Sequence, residues 1–102
     1  MCGFFFSIKN NSYLNEKKLI SISNELSHRG PDDNKIINNK DFFVRFFRLS
    51  IIDIRSKASQ PMYDKSGRYL LVFNGEIYNY KDLKKSLRNR NFQSNSDTEI
   101  LL

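Results

Sequence analysis

The apolar, aromatic run at residues 3 to 8 most restricts how this chain folds. It contains the triplet Phe4-Phe5-Phe6, and a short apolar run of this kind predicts a buried β-strand. The strand would begin almost at the amino terminus and would fix the position of Cys2, which directly precedes it. Because the run is too short for a membrane span and lacks a basic leader, it predicts neither a transmembrane helix nor a signal peptide.

Apolar residues at helical spacing predict two amphipathic helices. The first covers residues 14 to 27 with Ser12 as its N-cap, and the second covers residues 80 to 89 with Asn79 as its N-cap. Near the end of the chain, Ser96-Asp97-Thr98-Glu99 has the spacing of a capping box and predicts the start of a third helix. The apolar face of the first helix consists of Leu19, Ile22 and Leu26.

Further β-rich runs between the helices predict an antiparallel sheet and an α+β fold class. The segment His28-Arg29-Gly30-Pro31-Asp32-Asp33 predicts a turn, because Pro31 lacks an N–H and directs Gly30 away from helix. The β-rich runs are residues 35 to 38, 42 to 47, 49 to 54 and 69 to 74.

The composition argues against several classes of protein. The chain has 102 residues, 39% of them hydrophobic and 14% aromatic, which predicts one globular domain rather than a disordered segment. The net charge of +6 is spread along the chain, so a nucleic-acid-binding module is the weakest interpretation. One cysteine and one histidine form neither an internal disulfide nor a zinc site, and they predict a cytoplasmic location.

Cys2 is a candidate nucleophile because of its position. Removal of Met1 would give it a free α-amine, whose pKa of roughly 7.7 to 8.0 makes it a usable base near neutral pH. An amino-terminal amine can activate the nucleophile beside it without a histidine. The alternative is a small buried apolar side chain, which is the commoner role of a single cysteine.

Three polar segments each allow a structural and a functional interpretation. Asn74-Gly75-Glu76 predicts a type I′ hairpin turn, or else two N–H donors aimed at one oxyanion. Arg48 predicts a surface ion pair or a bidentate clamp for a carboxylate. Asp97 predicts an acid at a helix start or a group that holds a substrate ammonium.

The order of these motifs resembles the glutaminase domain of glutamine-hydrolysing asparagine synthetases, over the whole chain. That domain is a class II glutamine amidotransferase and an N-terminal-nucleophile hydrolase. Other class II members, such as glucosamine-phosphate synthases and purine amidotransferases, usually lack the His-Arg-Gly-Pro-Asp and Asn-Gly-Glu-Ile-Tyr-Asn combination. The motifs are Met1-Cys2-Gly3-Phe4, His28-Arg29-Gly30-Pro31-Asp32, Arg48-Leu49-Ser50-Ile51-Ile52-Asp53, Gln60-Pro61-Met62, Asn74-Gly75-Glu76-Ile77-Tyr78-Asn79 and Ser96-Asp97-Thr98-Glu99.

The resemblance implies a role for each matching residue. Cys2 would be the nucleophile that attacks the side-chain amide of L-glutamine, and Asn74 and Gly75 would form the oxyanion hole. Glu76 and Asp97 would bind the α-ammonium. The α-carboxylate would bind to Arg48, within a wall formed by Leu49, Ser50, Ile51 and Ile52. His28 would lie in a turn and would not act as a base, with a Cys/His dyad as the rival mechanism.

The resemblance also implies the architecture and the partners. The fold would be a four-layer αββα sandwich of antiparallel sheets, incomplete here because the family domain continues well beyond residue 102. Ammonia would pass to a carboxyl-terminal synthetase domain, absent here, where ATP and Mg²⁺ activate aspartate. The full enzyme would be a candidate homodimer, with no metal in this chain and no nucleic-acid or membrane partner. The alternatives are a non-catalytic truncated remnant, or an amidotransferase that acts on a sugar or peptide in polysaccharide or antibiotic biosynthesis.

The segment Arg45-Phe46-Phe47 departs from the family pattern. Before the arginine that corresponds to Arg48, the family commonly has a small residue and a histidine or another polar residue. The departure predicts a different packing beside the glutamine pocket and leaves Arg48 itself in place.

Overall fold

A computed structural model describes residues 2–10, 13–51, 53–87 and 89–102. The predicted α+β class with antiparallel sheets is confirmed. The strands are β1 (Gly3–Ile8), β2 (Asp33–Asn38), β3 (Phe42–Arg48), β4 (Met62–Tyr63) and β5 (Leu70–Leu71). The α-helices are α1 (Glu16–Asn24), α2 (Tyr80–Ser86) and α3 (Thr98–Leu101), and short 3-10 turns cover Ser27–Arg29 and Ser56–Ala58.

The larger sheet has three strands in the order β1-β3-β2, with β3 antiparallel to both neighbours. The register pairs Gly3 of β1 with Phe47 of β3, so the amino end of β1 lies beside the carboxyl end of β3. Cys2 precedes β1 and Leu49 follows β3. The pairing therefore brings the candidate nucleophile to the chain segment that the sequence assigns to substrate binding.

The core is centred on β3, which is buried on both faces of the sheet. Alternation along the strand places Phe43 and Phe47 on one face and Val44 and Phe46 on the other, and all four side chains are buried. Phe5 of β1 meets Phe43 edge to face at a ring-centroid distance of 6.0 Å. A strand covered on both faces reads as a continuous apolar run, which is why residues 42 to 47 were recognisable as β-rich.

Arg45 joins the sheet to α1 from within the apolar run. Its guanidinium donates to Asn24 Oδ1 at 2.6 Å and to Ser23 Oγ at 3.2 Å. It also donates to Asn34 Oδ1 at 3.1 Å and lies 4.5 Å from the ring centroid of Phe47. The unusual arginine in the Arg45-Phe46-Phe47 segment thus packs on the α1 side of the sheet.

The first helix is shorter than predicted and its apolar face is rotated. The prediction of Ser12 as N-cap is wrong, although Ser12 itself lies outside the described residues. The helix begins at Glu16 because Asn15 is the N-cap, with its Oδ1 accepting from Lys18 N–H at 3.0 Å. Its buried side chains are Leu19 and Ser23. Ile22, expected on the buried face, is 46% exposed. The hydrogen bond from Arg45 to Ser23 turns the side of the helix that carries Ser23 towards the sheet.

Two of the predicted strands are wrong or much too long. No strand occurs in the described part of residues 49 to 54, and the run at 69 to 74 forms a strand only at Leu70–Leu71. The turn between β4 and β5 lies at residues 64 to 69, where the carboxylate of Asp64 accepts from the backbone N–H groups of Ser66 and Tyr69. The hydroxyl of Ser66 and these backbone bonds lower the pKa of Asp64 to about 2.

The interpretation of Asn74-Gly75 as a type I′ hairpin turn is also wrong. That turn requires a positive φ at both central residues, and the glycine with positive φ is Gly67, at 70°. The segment 72 to 79 instead runs without regular structure from β5 to α2. Asn74 and Gly75 are therefore free of a strand ladder.

The two carboxyl-terminal helices differ from prediction at their ends. The helix expected over residues 80 to 89 ends at Ser86, and its N-cap Asn79 makes no side-chain capping bond. The capping box before α3 does not form, because Asp97 is the N-cap. Glu99, the expected partner in the box, accepts instead from the backbone N–H groups of residues 93 and 94.

The helices of the described residues are all too short or too polar to cross a membrane.

Candidate active site

A pocket of about 380 Å³ opens beside the carboxyl end of β3. It is bounded by the start of β1, by the chain that follows β3 and by segments 73–78 and 96–98. Of the residues predicted to form the site, Ser50 does not line the pocket, and Ile52 lies outside the described residues. The predicted site residues that line the pocket are Cys2, Arg48, Leu49, Ile51, Asn74, Gly75, Glu76 and Asp97.

The thiol of Cys2 is held against the backbone of Leu49. The N–H of Leu49 donates to Cys2 Sγ at 3.3 Å, and the carbonyl of Leu49 lies 3.6 Å from the same sulfur. On the other side, Arg29 Nε donates to the carbonyl oxygen of Cys2 at 3.2 Å. The side chain is partly exposed and lines the pocket. The interpretation of Cys2 as a fully buried side chain is therefore wrong.

The segment His28-Arg29-Gly30-Pro31-Asp32 supports the site from outside the pocket. Gly30 lies so close to β3 that an added Cβ would be 2.2 Å from the carbonyl carbon of Phe47, which explains the need for glycine. Asp32 donates its N–H to the carbonyl of Arg48 at 3.1 Å, and its carboxylate accepts from Ser50 N–H at 2.7 Å. His28 is exposed and does not line the pocket.

Arg48 ends β3 with its guanidinium buried, at 6% residue exposure. The guanidinium donates to the carbonyl oxygens of Asp53 and Arg55, the latter at 3.1 Å. The interpretation of Arg48 as a surface ion pair is wrong, because no carboxylate in the described part of the chain lies within ion-pair distance of it. A guanidinium has five N–H donors, so donors remain for an anion in the pocket.

Asp53 stabilises the loop that carries Arg48's two carbonyl partners. Its carboxylate accepts from Arg55 Nε at 2.9 Å and from the guanidinium Nη2 at 2.6 Å. The same carboxylate accepts from Asn95 N–H at 2.8 Å, which joins the loop to the segment before α3. The side-chain hydrogen bonds from Arg55, followed by the backbone bonds from Asn95 and Arg55, hold the pKa of Asp53 well below its usual range.

Replacing Asp53 with asparagine should weaken the fold at neutral pH and flatten its dependence on acid. Because the folded-state pKa of Asp53 is lowered, its contribution to stability is full above the unfolded value of about 3.9 and is lost as the pH falls below it. Thermal unfolding of the full-length protein, followed by circular dichroism between pH 7 and pH 3, should show a lower melting temperature for Asp53→Asn at pH 7 and a shallower decline below pH 4.

The matched control is Asp82→Asn, because Asp82 forms an exposed pair with Lys85 at 3.2 Å and exposed pairs contribute little. An Asp53→Asn variant with the acid dependence of the unmodified protein would contradict the assignment.

Asn74, Gly75 and Glu76 are exposed along one side of the pocket. Gly75 packs on the ring of Phe73, where an added Cβ would lie 2.7 Å from ring atom Cζ. A side chain at position 75 would have to displace the ring or the backbone. The chain bends at Gly75, and the close contact with the Phe73 ring holds this bend beside the pocket.

Asp97 presents a nearly buried carboxylate to the pocket, with 5% residue exposure. Its Oδ2 accepts from Ile77 N–H at 2.9 Å and its Oδ1 from Thr98 N–H at 2.9 Å. No cation of the described residues pairs with it. The structural interpretation, an acid at a helix start, is correct. The carboxylate also keeps lone pairs that a substrate cation can use.

Sequence reasoning did not identify Asp53 or Gln60 as parts of this site, although both stand in the motifs that carry the resemblance. Both line the pocket and bond to backbone atoms of neighbouring segments. The only available signal was their place in those motifs, because contacts to backbone atoms leave no residue pattern in a partner segment. In the described ranges no group of three or more His, Cys, Asp or Glu side chains could hold a metal ion.

Comparison with known proteins gives consistent matches over this chain. The family model of the glutamine amidotransferase domain matches residues 1–102. Asparagine synthetase B (glutamine-hydrolyzing) of Escherichia coli is 37% identical over 105 residues, which cover 100% of this chain and 19% of that protein. The glutamine-hydrolyzing asparagine synthetase 1 of Arabidopsis thaliana is 33% identical over 103 residues, 99% of this chain and 18% of that protein. The chain thus spans less than a fifth of the length of these relatives.

Proposed function

Because the chain belongs to the glutamine amidotransferase domain family, we propose that its pocket hydrolyses L-glutamine to L-glutamate and ammonia, as the glutaminase part of an asparagine synthetase-like enzyme. The observation that carries the proposal is the single pocket that gathers Cys2, Arg48, Asn74, Gly75 and Asp97. These residues come from four separate segments of the chain. Their meeting in one cavity is what a glutaminase requires and what a non-catalytic remnant would not need.

Substrate recognition would use opposite charges at the two ends of the amino acid. The guanidinium of Arg48 binds the α-carboxylate, and Leu49 and Ile51, which line the pocket, form the wall around it. The carboxylates of Glu76 and Asp97 bind the α-ammonium. The pocket volume of about 380 Å³ lies at the small end of the range for ligand sites, which suits a free amino acid.

The chemistry would begin at Cys2 after removal of Met1, a residue outside the described ones. The α-amine of Cys2 accepts the thiol proton, and the sulfur attacks the side-chain amide carbon of glutamine. The Asn74 amide and the Gly75 N–H donate to the resulting oxyanion. When the C–N bond breaks, the α-amine returns the proton to the leaving nitrogen, which departs as ammonia. Water then cleaves the thioester and releases glutamate.

We extend the proposal to the complete fold and to the synthetase domain. The chain would be the amino-terminal part of a four-layer αββα sandwich, and three side chains on one face of β1 support a further layer because they are largely exposed. These are Phe4, Phe6 and Ile8, at 41%, 50% and 62% exposure. The ammonia would serve an ATP- and Mg²⁺-dependent synthetase domain of a cytoplasmic homodimer that amidates aspartate. We assign no ATP or Mg²⁺ ligand to this chain.

The test is the release of glutamate by the full-length protein, together with the mass of its mature amino terminus. Glutamate is measured by a coupled dehydrogenase assay. The ammonia released from glutamine is also compared with that released from L-asparagine, the control substrate, because asparagine is one methylene shorter. We expect hydrolysis of glutamine in preference to asparagine, and an amino terminus that begins at Cys2. A mature protein that keeps Met1, or that releases no glutamate, would contradict the proposal.

A further inference from the structure

The carboxamide of Gln60 is buried beneath the pocket, at 6% residue exposure, and the mechanism above gives it no role. Its Oε1 accepts from Phe73 N–H at 2.5 Å, and its Nε2 donates to the carbonyl oxygen of Phe73 at 3.1 Å. The Nε2 also donates to Thr98 Oγ1 at 3.2 Å. One side chain thus satisfies both backbone polar groups of Phe73.

This pairing replaces a strand ladder. Phe73 lies beyond the end of β5 at Leu71, so no neighbouring strand holds its backbone. The carboxamide of Gln60 supplies the acceptor and the donor that a paired strand would supply. Without it, the backbone N–H and C=O of Phe73 would lose their partners beside a pocket, and each loss is costly where water is excluded.

The position of Phe73 fixes the two residues that follow it. Asn74 is the next residue in the chain, and Gly75 packs against the Phe73 ring. Donors of an oxyanion hole must lie within about 2.7–3.1 Å of the developing charge. A displacement of about 1 Å, even one caused at a distance, can cost on the order of 100-fold in rate.

We propose that Gln60 is a positioning residue that holds the backbone of Phe73 so that Asn74 and Gly75 point at the oxyanion. The role rests on the proposed glutaminase function. Through Thr98 the same carboxamide is joined to the residue next to Asp97, so one side chain connects the segment that stabilises the transition state with the segment that binds the ammonium.

Gln60→Glu is the informative variant because it preserves size and replaces the donor nitrogen with a carboxylate oxygen that can titrate. While ionised, the glutamate keeps an acceptor for Phe73 N–H but faces the Phe73 carbonyl with a second acceptor. We expect kcat for glutamine to fall by about 10- to 100-fold at pH 8 with KM changed by less than about threefold, since an interaction made in the transition state is lost. As the pH falls towards 5, protonation restores a donor, and the ratio of variant to unmodified kcat should rise.

Three comparisons separate positioning from a general structural effect, all in the full-length protein. Gln60→Met has similar length and cannot titrate, so its kcat should stay low at every pH. Gln93→Glu makes the same substitution at an exposed residue outside the pocket and should leave kcat unchanged. Alkylation of Cys2 by iodoacetamide needs no oxyanion hole and should proceed at the unmodified rate in folded Gln60→Glu.

The outcomes distinguish this proposal from the one on which it rests. An unmodified protein that does not hydrolyse glutamine overturns the proposed function and this role with it. If the unmodified protein is active, any of three results for Gln60→Glu overturns this role alone. These are an unchanged kcat at pH 8, a change in KM without a change in kcat, or a ratio of variant to unmodified kcat that does not depend on pH. If circular dichroism shows that neither Gln60 variant folds, Gln60 is a structural residue and the positioning role is likewise overturned.

Discussion

Replacing Cys2 with alanine should abolish glutamine hydrolysis in the full-length protein while leaving the fold intact. The pocket would keep Arg48 and Asp97 for the two charged ends of the substrate, but it would have no nucleophile. Loss of the nucleophile in a comparable acyl-transfer enzyme costs on the order of 10⁶ in kcat, so we expect a loss of at least about 10⁴-fold. The measurement is glutamate release at saturating glutamine, with binding of glutamine to the variant followed by calorimetry.

Ser7→Ala is the matched control for this variant. Ser7 lies on β1, the strand that follows Cys2, and does not line the pocket, so removal of its hydroxyl should leave kcat within a few fold of the unmodified value. Retention of activity in Cys2→Ala would show that another group carries the chemistry. Loss of activity in Ser7→Ala as well would show that β1 tolerates no change, and the assignment to Cys2 would then lack support.

Replacing Asn74 with alanine should lower kcat by about 100- to 1000-fold, the usual cost of removing one oxyanion-hole donor. The Gly75 N–H would remain, so the variant keeps one of the two donors. Asn74 is exposed, so its truncation opens no cavity in the core and should leave the melting temperature nearly unchanged. KM should change little, because the lost hydrogen bond strengthens only as charge develops on the oxygen.

Asn79→Ala provides the same chemical change a few residues away. Its side chain makes no capping bond to α2 and does not line the pocket, so kcat should be preserved. An Asn74→Ala variant with near-normal kcat would contradict the assignment of Asn74 as an oxyanion donor. A rise in KM without a fall in kcat would assign Asn74 to substrate binding instead.

The parts of the fold that the sequence predicts well are those in which burial follows the strand period. The β1 prediction matches Gly3–Ile8, and β3 extends the predicted 42 to 47 by one residue. The segment 49 to 54 has the same apolar, β-branched character, yet its described part forms no strand. The guanidinium of Arg48 donates hydrogen bonds to the carbonyl oxygens of Asp53 and Arg55. These bonds turn the chain back towards Arg48 after residue 49. A hydrogen bond from one side chain to backbone atoms several residues away has no periodic signature.

The site divides in the same way. The charged and nucleophilic residues that line the pocket were predicted from the sequence because the order of their motifs resembles a family. The geometry that unites them depends on Gly30 against the backbone of β3 and on Gln60 against the backbone of Phe73. Both contacts are made to main-chain atoms, which every residue type possesses. No pattern of residues could therefore have predicted them.

The register of β1 against β3 sets the position of the Cys2 thiol along the edge of the pocket. A slip of β1 by one residue would move Cys2 by about 3.3 Å and turn its side chain to the opposite face. The interior packing of Phe43 and Val44, well away from the thiol along the strand, thus helps to decide where the sulfur stands. A core substitution that shifts the register of β1 against β3 would therefore also move the thiol relative to the pocket.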